Sequence, residues 1–380
     1  MPSPDATGAV GPTLDATRAQ PATLPAPAQA PAPPLPPGRP LHVVSVRAAG
    51  AADATLWQAL QQHAAAAGRR LVLHAPAHPA GLAVAAQQAA QAARADAGVV
   101  VAIGGDGTLN TVGQACWRSG VPMGVVAQGT FNFFARQQAL PQGLDEALTA
   151  LLQALAAGWL RPVQVGQVNG QVFLVNASLG LYPRLLADRE QASRRFGRHR
   201  LVALLAGVAS LLRPHFGHRL RLLLRTAQGQ EHSTQRLAST LFVGNNALQL
   251  RNVGLPEAQA VQHGALGVVA LAPQRPLGML RLLWRAWRGR LADDAAVDNF
   301  ACTALTVLAD PRRLSARIKV AFDGESRWMT LPVQFAVSAR PLWLVAGPQP
   351  DAAPLRQAVP AAGPGLPLAG GLALAPELPR

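Results

Sequence analysis

The stretch that decides the fold is Gly98 to Thr108, GVVVAIGGDGT. Val99 to Ile103 is a continuous apolar run, too short for a buried helix. It predicts a strand covered on both faces, as in a parallel sheet. Gly104 and Gly105 let the backbone turn sharply and let a ligand approach it closely. Asp106 supplies a carboxylate, and Gly107 leaves room beside it. Thr108-Leu109-Asn110-Thr111-Val112 opens a helix. Strand, glycine loop and helix N-terminus together form a phosphate cradle, because free N–H groups and the helix dipole favour an anion. The Asp106 carboxylate is placed to hold a Mg²⁺ that phosphates also bind.

The pattern around this stretch repeats it. Strands are predicted at 41–46, 70–73 and 123–127. Helices are predicted at 55–67, 80–95, 108–118 and 144–157. This alternation is βαβ architecture with a parallel sheet. The strand at 123–127 also ends in a glycine loop, Gln128-Gly129-Thr130-Phe131-Asn132, with a helix starting near Phe133. Right-handed crossovers bring successive loops to the same sheet edge, so the corners Gly107-Thr108 and Gly129-Thr130 are expected to face one crevice. Either corner alone is an ordinary strand-to-helix turn. The pair, with Asp106 beside it, indicates nucleotide binding.

After Gly158 the apolar period falls to two. Residues 163–168 alternate, Asn169-Gly170 is a hairpin turn, and 171–176 return. Runs at 220–224, 240–244 and 266–271 read as further strands. Ile318 to Phe322, the turn Asp323-Gly324 and 328–337 form another hairpin signal, and 342–345 is the last strand. The second domain is therefore mainly antiparallel β, with helical insertions at 198–212 and 277–291. The expected division is a Pro/Ala-rich disordered leader (1–39), an α/β nucleotide-binding domain (40–158), a β domain (159–329) and a disordered tail (347–380). The last strand, near 330–346, is expected to return to the first domain.

No apolar run reaches the ~18 residues that span a bilayer. The N-terminus has neither a basic nor an apolar segment of the kind a signal peptide needs. Two cysteines, Cys116 and Cys302, suggest no disulfide framework and fit a reducing cytoplasm. The net charge is +15, with Lys319 the only lysine. A basic surface attracts nucleic acid or anionic membrane. No nucleic-acid recognition motif accompanies the charge. The stretch LGMLRLLWRAWRGRL (277–291) places Arg281, Arg285 and Arg288 on one side of a helix. An apolar stripe of Leu280, Leu283, Trp284, Trp287 and Leu291 lies beside them. Such a helix suits an anionic membrane surface.

Five blocks resemble the bacterial lipid kinases built on the diacylglycerol kinase catalytic domain, which share their fold with NAD kinases. They are GGDGTLN (104–110), GTFNFFAR (129–136), FLVNASLGLYP (173–183), FVGNN (242–246) and DGE (323–325), in the family's order. The resemblance implies an α/β nucleotide-binding domain followed by a β-sandwich, with a cleft between them. It implies transfer of the ATP γ-phosphoryl group to the hydroxyl of diacylglycerol or a related lipid alcohol, with Mg²⁺. Gly104, Gly105, Asp106, Gly107, Thr108, Asn110, Gly129, Thr130 and Asn132 would hold ATP, with Asp106 at the metal. Asp323 would be the catalytic base, with Glu325 nearby. The resemblance also implies a protein of the cytoplasm, peripheral to the inner face of the membrane.

The chain departs from the family pattern in three places. The first loop, Ser45 to Gly50, lacks the usual Asn and Pro, leaving Arg47 to meet a phosphate. Phe133 stands where a polar residue is usual. The stretch AVQHGALGV (260–268) carries Gln262 and His263 where many members have carboxylates, so no structural Mg²⁺ is expected there. Two other readings stay open: a degenerate kinase fold acting as a nucleotide- or lipid-binding regulator, and an NAD-kinase-like enzyme acting on a soluble nucleotide.

Overall fold

The computed structural model describes residues 32–46, 54–180, 217–308 and 317–349, with two further two-residue strands, Gly365–Leu366 and Leu372–Ala373. Arg47, the basic cluster 194–200 and the helix expected at 198–212 lie outside the described residues.

The N-terminal unit runs β1 (Leu41–Ser45), α1 (Ala54–Ala66), β2 (Leu71–His74), α2 (Leu82–Asp96), β3 (Val99–Gly104), α3 (Asp106–Ser119), β4 (Met123–Ala127), α4 (Phe133–Gln137) and α5 (Leu144–Ala156). β5 (Leu160–Val163) follows, and β18 (Leu342–Val345) returns from the far end of the chain. The first sheet has the order β2-β1-β3-β4-β18-β5. Every neighbouring pair is parallel except β18 with β5. All six residues of β3 are buried, since helices cover both faces of the sheet. One face packs Ala86, Ala90, Val112 and Cys116 of α2 and α3 against Val100 and Ala102. The other packs Leu148, Leu151 and Leu155 of α5 against Val99, Val101 and Val126. Gly120, with φ 68°, ends α3 and sends its N–H back to the Cys116 carbonyl.

The second unit is a sandwich of two antiparallel sheets. Three strands at its start are β6 (Gly166–Val168), β7 (Gln171–Phe173) and β8 (Asn176–Gly180). Further on come β9 (His218–Arg225), β10 (Glu231–Ala238) and β11 (Thr240–Gly244), then helices α6 (Ala247–Asn252) and α7 (Glu257–Gln262). Next are β12 (Leu266–Leu271), α8 (Pro276–Trp287), β13 (Val297–Cys302) and β14 (Ala304–Leu308). The last are β15 (Arg317–Phe322), β16 (Glu325–Thr330) and β17 (Val333–Val337). One sheet has the order β10-β9-β14-β17-β6-β7, the other β13-β12-β11-β8-β15-β16. Their inner faces meet in a core that includes Phe173, Leu179, Leu222, Val268, Leu305, Phe322 and Phe335. Each such side chain contributes roughly 1.5–3 kcal/mol by leaving water. The fold is thus an α/β domain with a mainly parallel sheet followed by an antiparallel β-sandwich.

Three alternating runs that read as single strands are each divided between two sheets. Residues 163–168 break into β5 in the first sheet and β6 in the sandwich. Gly166 begins the second piece because the Phe173 ring fills the space a β-carbon would need, 2.3 Å away. Residues 171–176 break into β7 and β8, because the N–H groups of Leu174, Val175 and Asn176 leave the ladder for a carboxylate. Residues 328–337 break into β16 and β17 at Leu331-Pro332, where proline brings no N–H to a ladder.

The helix read at 277–291 is shorter. It stops at Trp287, Gly289 turns with φ 65°, and Leu291–Asp293 is a separate 3-10 turn. Leu291 is fully buried and so leaves the expected surface stripe.

Candidate active site

The two glycine loops touch. A β-carbon on Gly105 would lie 3.2 Å from the Gly129 α-carbon, and one on Gly129 would lie 2.7 Å from the Gly105 α-carbon. The Gln128 N–H also donates to the Gly104 carbonyl at 2.8 Å. Only glycine permits this approach. Gly104 has φ 158°, and the Thr108 hydroxyl occupies the space of its missing β-carbon, 2.7 Å away. Gly105 is the cap residue of α3, so the first turn of that helix opens beside the contact, with N–H groups free of intrahelical partners.

Asp106 does more than face a cleft. Its Oδ2 accepts the Phe133 N–H and its Oδ1 the Phe134 N–H, both at 3.2 Å. The carboxylate of the first loop therefore caps the helix that follows the second. Asn132 shapes that second loop from the left-handed region, with φ 51°. Its Oδ1 accepts the Gly129 N–H at 2.8 Å, and its amide donates to Gln142 at 3.0 Å. Thr130 is exposed at the loop tip. Phe133 stacks on Phe131 with ring centroids 5.6 Å apart, and its carbonyl accepts from Asn246 Nδ2 at 3.0 Å. That last bond joins the FVGNN block to the second loop.

Asp323 enters from the sandwich. Asp323 (φ 43°) and Gly324 (φ 90°) form the tight turn of the β15–β16 hairpin. The Asp323 carbonyl stands 4.0 Å from the position of a β-carbon on Gly107, so this turn packs on the first turn of α3. The Asp323 side chain points inward. Its Oδ2 accepts the Leu174 N–H at 2.6 Å, and its Oδ1 accepts those of Val175 (3.0 Å) and Asn176 (2.8 Å). The Asp323 N–H returns to the Asn176 carbonyl. Asn245 steadies this corner by donating to the Leu174 carbonyl at 3.0 Å. The sequence holds no signal for the cradle, since it is made of backbone N–H groups and any side chains could carry them.

The electrostatics follow from burial. Burial pushes the Asp323 carboxyl up to about 7, against the pull of its three N–H donors, and the negative charge of Asp106 adds to the rise. Burial also raises Asp106, opposed by the N–H groups at the start of α4 and by Arg136. Two carboxylates from distant parts of the chain are thus each harder to ionise than in water, chiefly through burial.

Asn110 lies one turn into α3 and is almost fully buried. With its amide nitrogen turned to the two oxygens flanking it, it donates to Asp323 Oδ2 at 3.0 Å and to the Val172 carbonyl at 3.2 Å. Glu325 is set apart from Asp323. It is exposed at the start of β16, within 3.4 Å of Arg327. It borders a cleft of about 340 Å³ that Asn110, Gln114, Arg118 and Phe322 also line.

Among the described residues no cluster of three or more His, Cys, Asp or Glu side chains could hold a metal. Asp106 spends one lone pair on each oxygen for the α4 N–H groups and keeps the others. Such a donor fits a Mg²⁺ that arrives with phosphate oxygens, which commonly binds through one or two carboxylates.

Two glycine loops thus meet at one sheet edge of the α/β domain, and a carboxylate-bearing turn of the second domain packs beside them. Residues 40–168 match the model of the diacylglycerol kinase catalytic domain. A diacylglycerol kinase of Bacillus subtilis (strain 168) is 36% identical over 102 residues, 26% of this chain and 33% of that protein. A protein of Escherichia coli O1:K1 / APEC named "Probable lipid kinase YegS" is 34% identical over 100 residues, 25% of this chain and 32% of its own length. The matched part thus spans about a third of these curated relatives. The crystal structure of a diacylglycerol kinase from Bacillus anthracis str. Sterne shares the fold. Its TM-score is 0.53 at 16% identity, over 82% of this chain and 97% of that one.

Proposed function

We propose that the protein is a lipid kinase that transfers the γ-phosphoryl group of ATP to the hydroxyl of diacylglycerol or a related lipid alcohol. The observation that carries this reading is that the Asp323 turn packs on the first turn of α3, beside Asp106 and the Gly105–Gly129 contact. The loops would hold the ATP phosphates through backbone N–H groups, and Thr108 and Thr130 add hydroxyls. Asp106 would bind the accompanying Mg²⁺, which neutralises phosphate charge. Asp323 would take the proton of the acceptor hydroxyl. A carboxyl whose pKa lies near 7 suits that task, because it is both ionised and basic enough at neutral pH.

The acceptor must come from a bilayer, and α8 has a surface for one. Met279, Leu282 and Ala286 face inward, onto a core with Phe242, Leu250 and Val269. Leu277, Leu280, Trp284 and Trp287 stand outward, with Leu277 80% and Trp287 62% exposed. Both faces of this helix carry apolar residues, and those of the outward face are exposed. Two of the arginines expected to meet lipid headgroups are otherwise engaged. Arg281 and Arg285 lie 2.9 and 3.2 Å from the buried carboxylate of Asp294. Arg288 stacks over Trp284 at 4.8 Å. Contact with an anionic membrane would therefore rest on Trp and Leu insertion more than on charge. Among the described residues no helix is long and apolar enough to cross a membrane.

The test is incubation of the protein with labelled ATP, Mg²⁺ and vesicles containing diacylglycerol and other lipid alcohols. Labelled lipid is expected from the wild type and not from Asp323→Asn.

A further inference from the structure

We propose that the pocket between α5 and the α4–α5 loop binds a small carboxylate with an apolar body, the charge met by Arg161 and the body by α5. None of the residues assigned to ATP, Mg²⁺ or the acceptor lines this pocket, so it is separate from the glycine loops.

The space comes from small residues. α5 presents Ala147 and Ala150, three positions apart and so on one side of the helix, to a pocket of about 220 Å³. Leu151 and Val345 add apolar wall, and no Asp or Glu is among its described lining residues. An apolar cavity of about 150 Å³ takes up benzene. This pocket therefore has room for a ring or a six-carbon chain together with one polar group.

The polar group it fits is an anion. Arg161, on the edge strand β5, is the cation of the pocket and is half-buried. One terminal nitrogen donates to the Gln138 carbonyl at 2.7 Å and to the Gln138 Oε1 at 3.3 Å, and the other to the Gly347 carbonyl at 3.4 Å. These acceptors are all neutral. The Arg161 Nε–H is sealed from water and has no acceptor among the described residues. Burial works against the guanidinium charge, holding its pKa below the ordinary arginine value. A partly buried cation without a counter-ion gains most from a partner of opposite charge brought out of water beside it. One guanidinium balances one carboxylate, whereas a phosphate dianion would leave a charge unpaired against the apolar wall. A concave apolar wall with one convergent charged group is the usual form of a small-molecule site.

The experiment titrates the full chain with hexanoate by calorimetry and follows thermal melting. Acetate, which lacks the apolar body, and hexanol, which lacks the charge, are the controls. One hexanoate per chain is expected, with a Kd of about 1 mM or below and a raised melting temperature. Acetate and hexanol are expected to bind at least about ten-fold more weakly. Arg161→Gln removes the charge, and Ala150→Phe fills the space without removing any Arg161 bond. Each is expected to weaken hexanoate binding about ten-fold or more. Absence of saturable hexanoate binding up to about 10 mM, or binding that either variant leaves unchanged, would overturn the proposal. Hexanol bound as tightly as hexanoate would also overturn it, by showing that Arg161 only ties the loop to β5. If Arg161→Gln fails to fold, Ala150→Phe and the comparison of hexanoate with hexanol still decide the matter. The chain carries a carboxylate of its own at Asp351, three residues after Pro348 of the pocket wall. Hexanoate bound by Asp351→Asn and not by the wild type would assign the pocket to that residue and overturn a free ligand.

Discussion

Gly129 lies so close to Gly105 that a β-carbon built on it would stand 2.7 Å from the Gly105 α-carbon, closer than unbonded carbons approach. The two glycine loops are thus packed against each other. Gly129→Ala must push the loops apart, at a cost of roughly 1–3 kcal/mol. The same shift moves the N–H groups away from a bound phosphate. Calorimetry is expected to show ATP affinity at least ten-fold weaker, with a lower melting temperature. Unchanged affinity would mean that the nucleotide does not use this contact.

Asp323 makes stability fall as pH rises. Its carboxyl is raised in the folded protein to about 7 from an ordinary value of 3.8. The native state therefore holds a proton that the unfolded chain has released. That contribution is fully present below the unfolded value, declines as pH rises between about 4 and 7, and is gone above it. Each pKa unit corresponds to about 1.4 kcal/mol. Urea midpoints for the wild type are expected to fall from pH 5 to pH 8 by more than those of Asp323→Asn, which cannot ionise there. Parallel midpoints would show that the site does not hold a proton in this range.

The outward face of α8 can be removed without touching the core. Trp284→Ser with Trp287→Ser alters exposed side chains, so stability should change by about 0.5 kcal/mol or less. Sedimentation with anionic vesicles is expected to drop at least ten-fold, and wild-type binding should persist at high salt, because Arg281 and Arg285 are held by Asp294. Binding that vanishes with salt and ignores the tryptophans would assign the contact to another surface.

The sequence makes some of this legible and hides the rest, for physical reasons. β4, β11 and β12 are continuous apolar runs bounded by turn residues, and their ends fall where the residues predict. The breaks at 163–166, 173–176 and 330–333 are hidden because alternation continues while the chain passes from one sheet to another. Asp323 could be read as a hairpin turn or as a base; the structure shows the turn, and the base remains the proposal. The donors that bury it are backbone groups, which leave no trace in residue type. Asn110 read as part of a phosphate loop, yet helical spacing places it one turn further along, against Val172 and Asp323. Arg281, Arg285 and Arg288 share a helix side as their spacing says, but Asp294, which engages two of them, lies beyond the helix end.

The central claim is the proposal that the glycine loops, Asp106 and Asp323 serve transfer of phosphate from ATP to a lipid hydroxyl. Its most direct test is transfer of label from γ-labelled ATP, with Mg²⁺, to mixed vesicles offering diacylglycerol, sphingoid and glycerolipid alcohols. The account predicts labelled lipid with the wild type and a loss of at least 1,000-fold with Asp323→Asn, while ATP binding stays within a few-fold. No labelled lipid from any acceptor, with ATP still bound, would contradict it and point to a nucleotide- or lipid-binding regulator.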